Sequence, residues 1–317
     1  MKTTNKKGGL CLQIEELRNG AWSAKICVDR GANCISLRHA GYGISVLREP
    51  DYDNGLDNPY LYVMPILFPV NRISGGHFSF QGRDYRFPIN EAQTNCHLHG
   101  FLHEQPFAIE QRAEDLVTCA FGHRGDPMVF PQDFCLRITY ALREDGLEQC
   151  TALTNLSEQD MPAMLGYHTT FDLLGFSNGK VCVGVEVDDL LERDMSTYLP
   201  TGRVLEEDAV TRALKMSDFN PYSQKISRHY RAMGQGNMTL FDPVRGIGIR
   251  YWNDASFGWR LIYNGEADRY ICLEPQTCAI DCLNAPYPKG YANVPSIAPG
   301  QTVAYHSKIQ LFKGEAL

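Results

Sequence analysis

The sequence predicts an all-β fold, a large antiparallel β-sandwich. Three observations predict it. Apolar and polar residues alternate with period two through most of the chain, turn-forming clusters separate the alternating runs, and helical periodicity is sparse. Alternation of this kind marks a strand with one buried face, because successive side chains leave a strand on opposite sides.

The runs follow in order. Trp22, Ala24, Ile26 and Val28 alternate with Ser23, Lys25 and Asp29, after a turn signal at Asn19-Gly20. Phe134, Leu136, Ile138, Tyr140 and Leu142 alternate with Arg137 and Thr139. The Arg143 to Gly146 segment then reads as a hairpin turn into the next strand. Val181, Val183, Val185 and Val187 alternate with Lys180, Glu186 and Asp188, preceded by the turn signal Ser177-Asn178-Gly179. Val303, Tyr305, Ile309 and Leu311 share a face opposite His306, Lys308 and Gln310, after Pro299-Gly300. The one fair helical candidate is Leu205 to Met216.

The chain has 317 residues, a length that suggests two domains. No Ser/Gly/Pro-rich linker, charge block or internal repeat divides it, so residues 1–317 read as a single domain. It is 44% apolar and 21% charged, enough to bury a large core. The net charge of −7 argues against a nucleic-acid or membrane-surface partner, which would want a basic patch. Met1 to Gly9 is polar with no apolar run behind it, unlike a secretory leader. The most apolar stretch, Leu61 to Val70, contains Pro65 and Pro69 and is too short to span a bilayer. Eleven cysteines without a C-x-x-C pair, several on apolar runs (Cys27, Cys135, Cys150, Cys182), read as buried free thiols of a reducing cytoplasm. Glycine-rich phosphate loops and a G-x-S-x-G elbow are absent.

Four segments carry candidate chemistry. In Tyr270-Ile271-Cys272-Leu273-Glu274-Pro275-Gln276-Thr277, a carboxylate ends an apolar run and a proline follows. Pro275 is expected to stop the strand, leaving Glu274 at its last position, on a sheet rim, as a general base or as a solvated strand-end residue. In Pro69 to Gly76, Arg72 stands between apolar residues before a glycine turn and suits a hydroxyl-rich or carboxylate ligand, or pairs with a nearby acid. In Cys96 to His103, three histidines fall within seven residues. His97 and His99 would share a strand face at a metal-ligand spacing, and Gly100 would let the backbone turn and leave His99 exposed at a rim. His103 reads as a hydrogen-bonded surface histidine. In Met164 to Leu173, His168 lies in an apolar strand, the usual place of a satisfied core histidine, but flanked by Tyr167, Thr169 and Thr170. Cys272, Cys278 and Cys282 lie close together at spacings unlike a usual zinc site.

Taken together, these segments resemble the aldose 1-epimerases, the galactose mutarotase-like family. The order carries the match: N-R-I at 71–73, then G-x-F-x-F-x-G-x-x-Y at 76–85, H-x-H-G at 97–100, G-Y-H at 166–168 and L-E-P-Q-T at 273–277. The resemblance runs from about Gly31 to Leu311, closest to divergent bacterial members. It implies one supersandwich domain with no metal and no organic cofactor. It also implies Glu274 as catalytic base, His168 as catalytic acid, and Arg72 and His99 as residues binding sugar hydroxyls. The partner it implies is a monosaccharide or small sugar, in a cytoplasmic monomer or homodimer. Two departures stand out. Gly100 is followed by Phe101 where the galactose enzymes have a second glycine. Their acidic sugar-binding residue has no clear counterpart in Asp218 to Ser223, where Asp218 is the carboxylate available.

A carboxylate and an imidazolium suffice for anomer exchange: one takes the proton of the C1 hydroxyl, the other protonates the ring oxygen, and closure reverses the roles. Glu274 is expected to help His168 keep its proton. The rivals are a non-catalytic sugar-binding module on the same fold, a hexose-6-phosphate epimerase using Arg83, Arg86 or Lys289, and a metal-dependent sugar isomerase or lyase using His97 and His99.

Overall fold

Two eight-stranded antiparallel sheets face each other in this computed structural model, which describes residues 12–50, 59–292 and 294–314. Met1 to Gly9 lies outside the described residues. The first sheet runs, in spatial order, Ala108–Arg112, Leu116–His123, Phe134–Arg143, Gly146–Asn155, Thr302–Lys313, Ile247–Asn253, Met238–Asp242 and Cys182–Val185. The second runs Leu199–Leu205, Val187–Asp194, Ser227–Ala232, Trp259–Tyr263, Tyr270–Gln276, Gly166–Tyr167 and Ile66–Leu67, with Thr170–Asp172 also paired to Tyr270–Gln276. A smaller sheet of Ile14–Asn19, Trp22–Cys27, Asn33–His39 and Ile44–Ser45 adds to the same core. This is the all-β sandwich that the period-two pattern predicts.

The inward residues of each alternating run are buried. Phe134, Leu136, Ile138 and Tyr140 are inaccessible to solvent, while Arg137 is exposed. Arg143 and Gly146 pair directly across a two-residue turn, as expected of the hairpin. Hydroxyl contacts lock the two large sheets together inside the core: Tyr167 donates to Thr151 Oγ1 at 2.6 Å, and Thr169 meets the Tyr251 hydroxyl at 3.0 Å. The intervening even-numbered side chains, His168 and Thr170, therefore leave the second sheet on its other face.

Three expectations are corrected. The valine run 181–187 is divided: Cys182–Val185 joins the first sheet and Val187–Asp194 the second. Glu186 makes the crossing, its backbone N–H donating to the Asn237 carbonyl and its carboxylate accepting from the Asn237 N–H and side-chain amide. The helix is only Ala209–Lys215, because Leu205 is held in the Leu199–Leu205 strand opposite Leu190 and Asp208 caps the first turn. The third concerns Pro275, which does not stop its strand. Tyr270–Gln276 continues through it, paired to Trp259–Tyr263. On the other edge, Leu273 N–H donates to Thr169 and Thr277 N–H to Leu165. Pro275 falls midway between them, at the break between Gly166–Tyr167 and Thr170–Asp172, where no ladder bond is asked of it. Among the described residues, no helix is long and apolar enough to cross a membrane.

Candidate active site

Glu274 sits inside the second sheet, not at its rim. The register Leu191–His229–Leu261–Glu274 places four residues in a row across neighbouring strands on one face. This is the face turned away from the sandwich core, and the segments around Tyr60 and 97–103 cover it. Glu274 is 0% exposed. His168 occupies the gap between two short strands, fixed by its N–H to the Pro65 carbonyl at 3.1 Å. Its Nε2 lies 3.2 Å from Glu274 Oε1. Gln276 donates to the other carboxylate oxygen at 3.3 Å, and Oε1 receives no aligned hydrogen bond from the described residues. The His168 contact is therefore a close approach of charges-to-be rather than an aligned hydrogen bond, and Oε1 keeps a lone pair free for an incoming hydroxyl.

Burial sets the proton positions. It pushes the Glu274 carboxyl up to about 8, against the opposing pull of Arg193, Gln276 and Arg72. It holds the His168 imidazole down to about 3. The expected help from Glu274 in keeping His168 charged is outweighed, since desolvation disfavours both charges and the pair settles as a neutral acid and a neutral imidazole. The pair still holds one proton, as a carboxylate–imidazolium pair would. Polar surroundings decide where that proton rests.

His99 joins the pair, but not as a rim residue on a shared strand face. The strand ends at Leu98, and both His99 and Gly100 turn back with φ of 66°. Gly100 is required there: a Cβ would lie 1.9 Å from the Phe68 carbonyl oxygen. The turn buries His99 with its ring 5.2 Å from His168 and 4.5 Å from Tyr60. His97 diverges, hydrogen-bonded to the Pro88 carbonyl at 2.8 Å and stacked on Phe87. The two imidazoles therefore do not form a chelate. His103 is buried rather than superficial, 2.9 Å from the Tyr60 hydroxyl. Tyr60 thus bridges all three histidines of the site and caps it.

Arg72 is held by Glu91 through two 2.7 Å hydrogen bonds and lies 4.7 Å from the Tyr198 ring centre. Its Nη1 has no hydrogen-bond partner among the described residues, so one edge of the guanidinium remains for a ligand. Asp218 is exposed, outside the site, next to the end of the Ala209–Lys215 helix. Arg83 and Arg86 are engaged elsewhere, by Gln159, the Pro131 carbonyl and Asp84, and Lys289 is exposed.

Sequence reasoning did not single out Arg193, which is buried beside Glu274 and shares the Tyr198 ring with Arg72. The available signal was an arginine two positions after Leu191 on one strand face. Nor did it find Tyr60, Tyr198 or His229. The three neighbouring cysteines do not converge: the Cys282 thiol associates with Cys278, while Cys272 turns to the site. His168, Cys272 and Glu274 bring one ligand atom each within 4.8 Å of one another, the one such group among the described residues. Burial pushes the Cys272 thiol well up and it stands 3.4 Å from the Thr170 hydroxyl, so it is a protonated thiol rather than a thiolate ligand.

Comparison with known proteins identifies the family and the fold. The chain is 22% identical over 280 residues to the Escherichia coli K12 protein YihR, covering 86% of each chain. It is 28% identical over 142 residues to the galactose mutarotase of Sus scrofa, 43% of this chain and 40% of that one. A galactose mutarotase-like protein of Clostridium acetobutylicum has the same fold with a TM-score of 0.87 and 25% identity, covering 95% of this chain and 99% of that one. A GalM/aldose epimerase homologue from C. elegans superposes with a TM-score of 0.78 at 16% identity, covering 96% and 100%. The aldose 1-epimerase family model matches residues 14–310, and the chain belongs to that family.

Proposed function

We propose that this protein is an aldose 1-epimerase that interconverts the α and β anomers of a sugar by general acid–base ring opening and closure. The observation that carries the reading is the buried His168–Glu274 pair, 3.2 Å apart, with a free lone pair on Glu274 Oε1. In the ionic form, Glu274 takes the C1 hydroxyl proton while His168 protonates the ring oxygen, and the C1–O5 bond opens. The pair is then a neutral acid and a neutral imidazole, the form that the dry pocket favours. Rotation about C1–C2 and reversal of both transfers close the ring on the other face. Arg72 Nη1 and His99 hold sugar hydroxyls. The pair needs no organic cofactor for these two transfers. With Glu274 inaccessible, a sugar enters only when the capping side chains, Tyr60 among them, move aside.

The partner in this reading is a monosaccharide, handled by one domain. The ten described cysteines are all free thiols, which fits a cytoplasmic protein. The test is optical rotation of freshly dissolved single-anomer sugars. Glu274→Gln, which keeps volume and loses the base, is expected to lower turnover about 10²- to 10⁴-fold with the fold retained. Wild-type turnover in that variant removes the assignment.

A further inference from the structure

Arg193 and His229 are two buried polar side chains beside the dyad that the acid–base scheme leaves without work. Arg193 is 8% exposed. One Nη2 donates to the Ser227 carbonyl at 2.7 Å and hydroxyl at 2.8 Å, and no carboxylate lies within ion-pair distance among the described residues. Its neighbour Arg72 is already matched by Glu91. Glu274 stands near enough to feel Arg193 but is itself driven towards the neutral acid by burial. The pocket therefore carries a surplus positive charge, a costly arrangement unless something negative enters. His229 is 0% exposed, its ring tilted against Trp259 at 5.3 Å, and neither ring nitrogen has a hydrogen-bond partner among the described residues. Burial, with Arg193 adding to it, opposes its protonation, so it is a neutral ring with one N–H to give. A buried donor with no hydrogen-bond partner among the described residues, near a buried cation that is held by Ser227 but matched by no carboxylate among them, describes a site for an anion.

Resting on the epimerase reading, we propose that Arg193 and His229 form a subsite for an acidic substituent of the sugar, a carboxylate or a phosphate ester, at the end of the ring remote from C1. The spacing agrees. His229 and Glu274 stand two strands apart in one row, about 10 Å between backbones. Leu261 lies between them in that row, so a single sugar ring lying over Leu261 would reach from Glu274 at C1 to His229 at its far end. Tyr198 lies over Arg193 and Arg72 together, at 6.0 and 4.7 Å, and supplies the aromatic cover. Asp218, the one carboxylate in the segment from Asp218 to Ser223, is exposed and away from the site, so that carboxylate does not repel the substituent.

The test compares anomer exchange of glucose and galactose with that of glucuronate, galacturonate and glucose 6-phosphate. Wild type is expected to prefer an acidic sugar to its neutral parent by about 10- to 100-fold in kcat/KM. Arg193→Met should bring that ratio to near one, and Arg193→Lys should keep part of it. Glucuronate against glucose 6-phosphate tells carboxylate from phosphate. Equal or better turnover of the neutral sugars by wild type overturns the subsite and leaves the epimerase reading in place, and this comparison needs no variant to fold. If no sugar is turned over, tryptophan-fluorescence titration of wild type with the same five sugars decides. Acid-selective binding that Arg193→Met abolishes keeps the subsite and removes the epimerase, while unselective or absent binding overturns it.

Discussion

At the scale of single residues, the site is built on positions where the backbone has no freedom. His99 reaches His168 only because two consecutive residues adopt positive φ, and the second must be glycine. Gly100→Ala is expected to destabilise the protein by more than about 1–3 kcal/mol, since the new methyl meets the Phe68 backbone in a conformation that alanine avoids. Urea unfolding measures it, and a cost below that range would mean the turn can reopen. The sequence showed this turn as a histidine followed by glycine and read it as an exposure device. It is a burial device, because the segment it returns to, Phe68 to Asn71, lies inside the protein. Glu274, His168, His99 and Arg72 were legible because short motifs in a fixed order announce them. Arg193, His229 and Tyr60 were not. Each is alone in its run, and the sheet register that brings His229 into line with Glu274 joins residues 45 positions apart, which local pattern does not encode.

At the scale of elements, period two named the strands but not the sheets. Val181 to Val187 alternates without interruption, yet the chain passes from one sheet to the other at Glu186, and both inner faces point to the same core. The apolar pattern is the same on either side of the crossing, so hydrophobicity could not mark it. Pro275 misled for a related reason. A proline ends a strand only where the neighbour on its N–H side needs a donor, and here that neighbouring strand is itself broken. The Ala209–Lys215 helix was overextended because Leu205 and Met216 continue its apolar pattern, whereas Asp208 fixes its start. The Asp208 carboxylate accepts from Thr211 N–H at 2.9 Å and Thr211 Oγ1 at 2.8 Å. Asp208→Ala should cost about 0.5–2 kcal/mol in urea unfolding. Asp208→Asn should recover most of that, because it keeps the acceptor while giving up the 2.8 Å ion pair with Arg228, both partners being partly exposed. A full loss in Asp208→Asn would assign the effect to the ion pair instead.

At the scale of the whole molecule, the buried site makes stability depend on pH from both sides. Burial holds His168 down to about 3 and His103 to about 4, and holds His99 and His229 well below the usual imidazole value. The unfolded chain binds protons at these histidines near 6.5 while the folded one does not. Their stabilisation is complete above that pH and is lost as pH falls towards the folded values. Glu274 works in the opposite direction. Its folded value is raised to about 8 from an unfolded value of 4.5, so its contribution is complete below 4.5 and is lost as pH rises to about 8. The stability difference between wild type and Glu274→Gln isolates this group, because every other titration is common to both. That difference is expected to fall with rising pH between 4.5 and 8, at up to about 1.4 kcal/mol per pH unit, and to be level outside that window. Urea midpoints from pH 4 to 9 measure it. A level difference throughout would mean that Glu274 titrates normally. A difference that rises with pH near and below 4.5 would mean that Glu274 is held as a carboxylate against a charged His168 even in the empty pocket. Loading the pocket with a sugar should shift the falling limb to lower pH, because hydroxyl donors on the carboxylate favour its ionised form. Ligand-dependent movement of that limb, absent in Glu274→Gln, would tie the protonation of the dyad to occupation of the site.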